Sequence, residues 1–244
     1  MRIQVGGFGK LNFVPAAWVA GAPYRFRLEK ISDGKIASRG GGSLNEIILP
    51  PGKYRLIWQQ SQHRVGPVAL VPEIEIKPGS TTALQLNTGI HLVPADWIET
   101  PPYSWFLKDP ASGRKMISVS ETWDPVLVPA GTYELWYHQW QHGSGDMLLR
   151  PQVKIEPGKV TEVELNTGVV LKSSDPAARP PYRWVLTDPE SKQALVSISE
   201  RWGPVPVAPG RYGLSVRQTQ HGHSLTELIP NFTVEPGQLV EIGL

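Results

Sequence analysis

The 244-residue chain contains no cysteine, which excludes disulfide bonds, thiolate nucleophiles and cysteine ligands for metals. It also lacks an excess of charge of either sign, because 24 Lys and Arg face 22 Asp and Glu and the formal net charge is +2. A balance this even argues against nucleic acid and anionic membranes as partners. No run approaches the roughly 18 apolar residues of a membrane-spanning helix, and the opening residues lack the apolar stretch of a signal peptide. The sequence therefore predicts no membrane insertion.

An internal repeat dominates the rest of the chain. A Gln-x-Gln-His signature occurs three times at an interval of 79 residues: Gln60, Gln62 and His63; Gln139, Gln141 and His142; Gln218, Gln220 and His221. Other landmarks keep the same interval: Tyr24, Tyr103 and Tyr182; Gly52, Gly131 and Gly210. Self-similarity at a fixed period indicates a repeat architecture. We predict three modules, at residues 1–88, 89–167 and 168–244, each of them small enough to be only marginally stable alone.

Each copy reads as a series of short strands. In the second copy Tyr133, Leu135 and Tyr137 alternate with outward-facing neighbours, and the 24 glycines and 24 prolines punctuate such runs at repeated positions. Alternation with period two and turn signals every 8–12 residues or so are typical of antiparallel β-sandwiches. No segment has the apolar stripe of a helix. The predicted fold is therefore all-β, with three tandem antiparallel β-sandwich modules of one type and about seven strands in each.

The connections between copies are short. The sequence Leu-Asn-Thr-Gly occurs at residues 86–89 and again at 165–168, and connections of a few residues leave little room for independent motion. We expect the modules to be fixed relative to one another. At the other end of the first copy, Ile3 and Val5 fall in register with the closing strand of a module. This segment either belongs to a longer array or pairs with the third copy and closes a ring.

Part of each copy resembles a known family. The run at residues 49–56, Leu-Pro-Pro-Gly-Lys-Tyr-Arg-Leu, and the Pro78-Gly79 turn into a threonine-rich strand are similar to the second half of PEGA and carboxypeptidase-regulatory-like (transthyretin-like) modules. The whole repeat also resembles tandem modules found beside von Willebrand factor A domains in bacterial proteins. The resemblance implies a noncatalytic β-sandwich that serves presentation or adhesion. We expect the chain to be a fragment of a larger bacterial protein of the cell surface or periplasm. The resemblance transfers no functional residues.

The Gln-x-Gln-His signature is the strongest candidate site. By strand alternation, Gln60 and Gln62 share a face with Tyr54 and Leu56, so we expect these amides to point inward or toward the rim of the sandwich. One interpretation is structural, because a buried amide can satisfy several backbone groups of an adjoining loop. The other is a ligand site in each copy, where two amides and an imidazole contact a polar ligand such as a sugar.

Two tryptophans of the second copy form a second candidate. Trp136 and Trp140 correspond to Ile57 and Ser61 in the first copy and to small polar residues in the third. Both are expected on the outward face of a long strand, where two rings make a flat platform that can stack on a sugar or receive a neighbouring chain. The alternative is that the adjacent module covers them.

Catalytic signatures are missing from the sequence. It has no Gly-x-Ser-x-Gly motif and no glycine-rich phosphate loop followed by a helix, so we predict no catalytic residues and no cofactor. Metal binding is disfavoured because each copy repeats one histidine, whereas zinc sites usually take three or four ligands. The leading prediction is a noncatalytic structural or binding repeat protein with a protein or glycan partner. The alternatives are a carbohydrate-binding protein with up to three equivalent sites and, last, a metal-assisted enzyme.

Overall fold

A computed structural model describes residues 7–19, 21–141, 145–220 and 224–244. Within these ranges the chain forms strands, turns and loops, and it contains no helix of the length and apolarity needed to cross a membrane. Twenty-one strands fall into three sets of seven, and each set builds one three-stranded and one four-stranded sheet. The prediction of three tandem β-sandwich modules is confirmed. The module boundaries after residues 88 and 167 stay predictions.

Module 1 has seven strands: β1 (Gly9–Pro15), β2 (Arg25–Lys30), β3 (Ile36–Gly40), β4 (Ile47–Leu49), β5 (Gly52–Gln59), β6 (Val68–Ile76) and β7 (Thr81–Leu86). Their order is β4-β1-β7 in the smaller sheet and β3-β2-β5-β6 in the larger one.

Module 2 repeats this arrangement with β8 (Gly89–Pro94), β9 (Ser104–Lys108), β10 (Lys115–Val119), β11 (Val126–Leu127), β12 (Gly131–His138), β13 (Met147–Ile155) and β14 (Val160–Leu165). Its sheets have the orders β11-β8-β14 and β10-β9-β12-β13.

Module 3 consists of β15 (Gly168–Lys172), β16 (Arg183–Thr187), β17 (Ala194–Ser199), β18 (Val205–Pro206), β19 (Gly210–Arg217), β20 (Thr226–Val234) and β21 (Leu239–Gly243). Its sheets have the orders β18-β15-β21 and β17-β16-β19-β20.

One pairing in each module is parallel. The first strand of each module pairs parallel with the last, as β1 with β7, β8 with β14 and β15 with β21, and every other ladder is antiparallel. Alternation along a strand indicates which side chains face inward, but it does not indicate the direction of the neighbouring strand. None of the described strands of module 1 pairs with module 3. The segment at residues 1–6, on which the ring and the longer array depend, lies outside the described residues.

The module cores form because the inward positions of the long strands are apolar. In β12 the buried residues are Tyr133, Leu135 and Tyr137, and the residues between them are half-buried or exposed. At the equivalent core position, Phe26, Trp105 and Trp184 are all buried. Truncating such an aromatic side chain to alanine destabilises a protein by about 3–5 kcal/mol, so these residues carry much of each module's stability.

A tyrosine secures the turn into the long strand of every module. The hydroxyl groups of Tyr54, Tyr133 and Tyr212 donate to the carbonyl four residues earlier, at 2.7, 3.1 and 2.6 Å. Burial is the main cause that raises the pKa of Tyr212, to about 12, so this hydroxyl keeps its proton and stays a donor. The Pro-Gly-x-Tyr pattern that carried the family resemblance therefore has a local structural role.

A proline interrupts one edge strand of each large sheet. Pro72, Pro151 and Pro230 lie within β6, β13 and β20, beside register shifts in the pairing with the long strand. Proline cannot donate a ladder hydrogen bond, and within sheets it is therefore confined to edge strands and bulges. These prolines blunt one edge of each module against pairing with another chain.

Candidate functional site at the module joints

The Gln-x-Gln-His signature lies just beyond the long strand of each module, because β5, β12 and β19 end at residues 59, 138 and 217. Its first glutamine has three different environments: Gln60 is half-buried, Gln139 is buried with 5% of its surface exposed, and Gln218 is exposed. The prediction that the second glutamine points inward is wrong, since Gln62, Gln141 and Gln220 are all exposed. The histidine His63 is exposed as well. The predicted site residues His142 and His221 lie outside the described residues.

Gln60 connects module 1 to module 2. Its amide nitrogen donates to the carbonyl of Pro125 at 3.1 Å, and its amide oxygen accepts from the backbone nitrogen of Leu127 at 3.1 Å. The side chain therefore pairs with β11 as a neighbouring strand would. A cleft of about 350 Å³ lies beside it, between Trp18 and Arg64 of module 1 and Asp124 of module 2. Because both ends of the Gln60 amide are already bonded, the amide is a connector rather than a free ligand contact.

The segment after the signature extends this joint. Gly66 donates to the carbonyl of Ser118 at 2.8 Å, Ser120 donates to the carbonyl of Arg64 at 2.7 Å, and Val65 and Val119 form an antiparallel bridge. Module 1 thus adds one short stretch of strand to the edge of β10. The bridge places Val65 on the core side beside Val119, and both are buried.

Two further contacts are the same at both joints. A Cβ atom on Gly89 would lie 2.5 Å from the Trp18 ring, and a Cβ on Gly168 would lie 2.6 Å from the Trp97 ring, so a glycine is required where each ring packs. The hydroxyl of the joint threonine accepts from the Pro-Gly turn of the following module at 2.8 Å, in Thr88 as in Thr167. These contacts explain why Leu-Asn-Thr-Gly recurs and why such a short connection holds the modules together.

The second joint does not use its glutamine in the same way. The position equivalent to Leu127 is Pro206, which has no backbone N–H to donate to Gln139. The amide oxygen of Gln139 instead accepts from the Tyr137 hydroxyl at 2.6 Å within module 2. Burial raises the pKa of Tyr137 well above its ordinary value, so this hydroxyl remains protonated and donates.

Trp140 belongs to the second joint. The guanidinium of Arg201 in module 3 lies 4.7 Å from the centre of its ring. The neighbouring module therefore contacts the Trp140 ring, as expected under the alternative in which the adjacent module covers this tryptophan.

Trp136 packs against its own module. Its ring lies parallel to that of Phe106, at 4° and with 6.1 Å between the ring centres, and its indole nitrogen donates to Glu134 at 2.8 Å. The ammonium groups of Lys108 and Lys115 sit 3.9 Å from the Trp136 ring centre and 3.7 Å from the Phe106 ring centre. Lysines therefore cover ring faces that a sugar would need for stacking.

The structure gives no support to a metal centre in the described part of the chain, which holds no group of three or more His, Asp or Glu side chains placed to bind an ion. The nearest approach is His138, whose Nδ1 lies 3.0 Å from Asp146 and whose buried Nε2 has no hydrogen-bond partner among the described residues. Its ring packs edge-on against Tyr103. One histidine and one carboxylate are too few ligands for a typical zinc site.

Several joint residues escaped the sequence analysis. Trp18, Gly89 and Arg201 were not among the predicted site residues, nor was the strand-forming segment at Val65. A signal for the first pair is present in the sequence: Trp18 and Trp97 each lie in a copy that ends in Asn-Thr and is followed by a glycine, while the third copy has Pro176 at the tryptophan position.

Comparisons with known proteins add little to this geometry. No protein-family model matches the sequence, and no curated protein is significantly similar. Among solved structures, the Bacillus anthracis TIE protein aligns over 98% of this chain and 51% of its own, at 14% identity and a TM-score of 0.26. The chain thus spans about half the length of that protein. The major pilin subunit BcpA of Bacillus cereus aligns over 98% of both chains, at 14% identity and a TM-score of 0.28. The minor pilin GBS52 of Streptococcus agalactiae covers 64% of this chain and 94% of its own, at 11% identity and 0.23. Values this low carry no argument about function.

Proposed function

We propose that the chain is a noncatalytic structural repeat protein, a stiff three-module spacer that presents binding surfaces to protein partners. The observation that carries this proposal is the use of the repeated residues. Gln60 bonds to the backbone of the next module, and the recurring threonines and glycines form the joints. Repeated residues that fix the joints keep the distance and orientation between neighbouring modules constant, which is the property that a spacer needs.

A location at the cell surface or in the periplasm follows as part of the proposal. A stiff spacer is useful where a binding surface must be held away from its anchor. The absence of cysteine is compatible with that setting, because the fold needs no disulfide bonds to close its cores. The glycan alternative finds no favouring contact, since the Gln60 amide is bonded within the chain and lysines lie over the Trp136 and Phe106 rings.

Stiffness can be measured directly. Because the chain has no cysteine, spin labels can be attached at the exposed positions of Lys53→Cys in module 1 and Arg211→Cys in module 3. Double electron–electron resonance should give one narrow distance distribution. A matched pair within module 1, Lys53→Cys with Gln62→Cys, lies toward opposite ends of β5 at exposed positions and sets the width that a rigid module produces. A distribution several times broader than this control would mean that the modules move independently, and the proposal of a stiff spacer would fail.

A further inference from the structure

The edge of β3 in module 1 is the counterpart of the occupied edge of β10. In module 2 the carbonyl of Ser118 and the amide of Ser120 are bonded to the preceding module. The equivalent groups in module 1 belong to Arg39 and Gly41. Outside the sheet ladder, no backbone hydrogen bond among the described residues involves either one. Module 1 therefore carries the same strand-accepting edge with no strand of the described chain upon it.

Three arginines lie next to this edge in module 1, whereas the same positions hold Ser104, Phe106 and Ser118 in module 2 and Arg183, Val185 and Ser197 in module 3. Arg25, Arg27 and Arg39 line a groove of about 620 Å³, and Arg27 and Arg39 are direct partners across β2 and β3. Like charges in that relation destabilise a sheet. The equivalent pairs are Phe106 with Ser118 and Val185 with Ser197, so the fold itself does not need two arginines there.

Acidic residues do not neutralise the whole group. Glu29 lies 2.7 Å from Arg27 and 2.6 Å from Arg55. The hydrogen bond from Arg55, with the nearby charge of Arg27, holds the pKa of Glu29 below its ordinary value, so this carboxylate is ionised and already engaged. Arg39 has no ion pair or side-chain hydrogen bond in the described part of the chain. The guanidinium of Arg25 stacks over Tyr24 at 5.3 Å and is otherwise exposed.

Two glycines shape the edge for an added strand. Gly40 has no room for a Cβ, because the Phe26 ring would lie 2.7 Å from it. Gly41 has no room for a Cβ either, because it would lie 2.1 Å from the carbonyl oxygen of Tyr24. By analogy with Val65, the residue opposite Gly40 would face the core and pack on Phe26. Its two neighbours would face outward, one beside Arg39 and Arg27 and the other toward Arg25.

We propose that the β3 edge of module 1 binds an extended peptide segment of another protein, which pairs as an added strand and carries acidic side chains on either side of one apolar residue. This inference rests on the proposed function, since it names the partner chemistry of a spacer that presents binding surfaces. Strand addition supplies affinity through main-chain hydrogen bonds, and alternate side chains supply the selectivity. Arginine favours carboxylates because its planar fork matches their geometry.

Fluorescence anisotropy with the full chain tests the proposal, with a labelled, end-blocked peptide of repeated Glu-Val sequence as the probe. The peptide should bind, and Arg39→Ser should weaken binding about tenfold, as expected for loss of a charged hydrogen-bonded pair. Serine is the residue at the two equivalent positions, so this variant should fold. Arg211→Ser, which removes an exposed arginine of module 3, should bind like the unchanged protein.

Two further probes separate strand addition from simple charge attraction. A Glu-Val peptide with N-methylated backbone amides keeps the charge but cannot pair as a strand, and it should not bind. A Lys-Val peptide should not bind either. Equal binding of the N-methylated peptide, or of the unchanged protein and Arg39→Ser, would overturn the proposal. If no peptide binds while the spin-label distances stay narrow, this inference fails and the proposed spacer function stands. If the spin-label distances are broad while the peptide still binds, the proposed spacer function fails and the peptide-binding inference stands.

Discussion

The two joints of this chain share half of their contacts and differ in the rest. Both pack a tryptophan on the first glycine of the next module, and both hold the next Pro-Gly turn with a threonine hydroxyl. At the first joint a glutamine side chain also pairs with the next backbone, whereas at the second a cation lies over a tryptophan ring. The first glutamine of the signature therefore bonds to the next module in one copy and within its own module in another.

The cause is two substitutions around the glutamine. Pro206 replaces Leu127 and removes the donor that Gln60 uses at the first joint. Tyr137 replaces Trp58 and supplies a hydroxyl within reach of Gln139. The indole nitrogen of Trp58 has no such partner among the described residues. A buried side-chain amide adopts the orientation in which its hydrogen bonds are made, because leaving a buried polar group unpaired costs about 1–3 kcal/mol of stability.

The largest expected effect tests the shared half of the joints. Gly89→Ala and Gly168→Ala should each destabilise the protein by about 2–3 kcal/mol, because the new methyl group meets both a tryptophan ring and a backbone carbonyl that cannot move away. Urea unfolding measured by hydrogen exchange in each module reports the change. Gly145→Ala, at a glycine with open space around it, is the control. A difference between the two joints of more than about 1 kcal/mol would contradict their equivalence.

The next largest effect is expected at the glutamine contacts, which differ between the two joints. Gln60→Ala leaves the Leu127 amide and the Pro125 carbonyl without their partner and should cost about 1–2 kcal/mol. It should also broaden the spin-label distance between modules 1 and 2, measured from Lys53→Cys to Thr132→Cys, where Thr132 is the exposed counterpart in module 2. Gln139→Ala should cost a similar amount through the Tyr137 hydroxyl but leave the distance between modules 2 and 3 narrow, measured from Thr132→Cys to Arg211→Cys. Gln218→Ala is the matched control, expected to change stability by less than about 0.5 kcal/mol since the side chain is exposed. Equal broadening from Gln60→Ala and Gln139→Ala would remove the distinction.

A smaller effect is expected at the cation of the second joint. Arg201→Gln should destabilise the contact between modules 2 and 3 by about 0.5–1 kcal/mol, the usual contribution of a cation over an aromatic ring. Double-mutant cycles with Trp140→Leu measure the coupling between the two side chains. The equivalent cycle at the first joint, between Ser61 and Thr122, should show no coupling, because neither position carries a ring or a cation. Additive effects of Arg201→Gln and Trp140→Leu would show that the ring and the cation do not interact in solution.

The last test asks whether two substitutions convert one joint into the other, and its readout is a single amide rather than the stability of the protein. Pro206→Leu restores a backbone donor, and Tyr137→Phe releases Gln139 from its present partner. Together they should slow hydrogen exchange of the amide at position 206 by about the factor of ten that corresponds to 1.4 kcal/mol of protection. The single variant Pro206→Leu is the control, because Gln139 stays bound to Tyr137. If the single and double variants exchange at the same rate, the tyrosine is not what turns Gln139 away from the joint.

The sequence predicted the modules well because each module's fold depends on local patterns. The 79-residue interval, the alternation of Tyr133, Leu135 and Tyr137, and the turn residues all indicated β-sandwiches. It predicted the candidate site less well. Gln62 and His63 are exposed because β5 ends at Gln59, and alternation cannot reveal where a strand stops. Trp140 could not be assigned to a joint, since Arg201 lies 61 positions further along the chain.

The amino-acid sequence by itself determined the number of modules, their β character and the residues that fill each core, because period and polarity are properties of neighbours along the chain. Only the tertiary structure decided the parallel pairing of first and last strands, the two different uses of the signature glutamine, and which strand edge carries a neighbour. Those outcomes depend on which backbone donors and side chains meet across modules, and a single proline in place of a leucine is enough to redirect them.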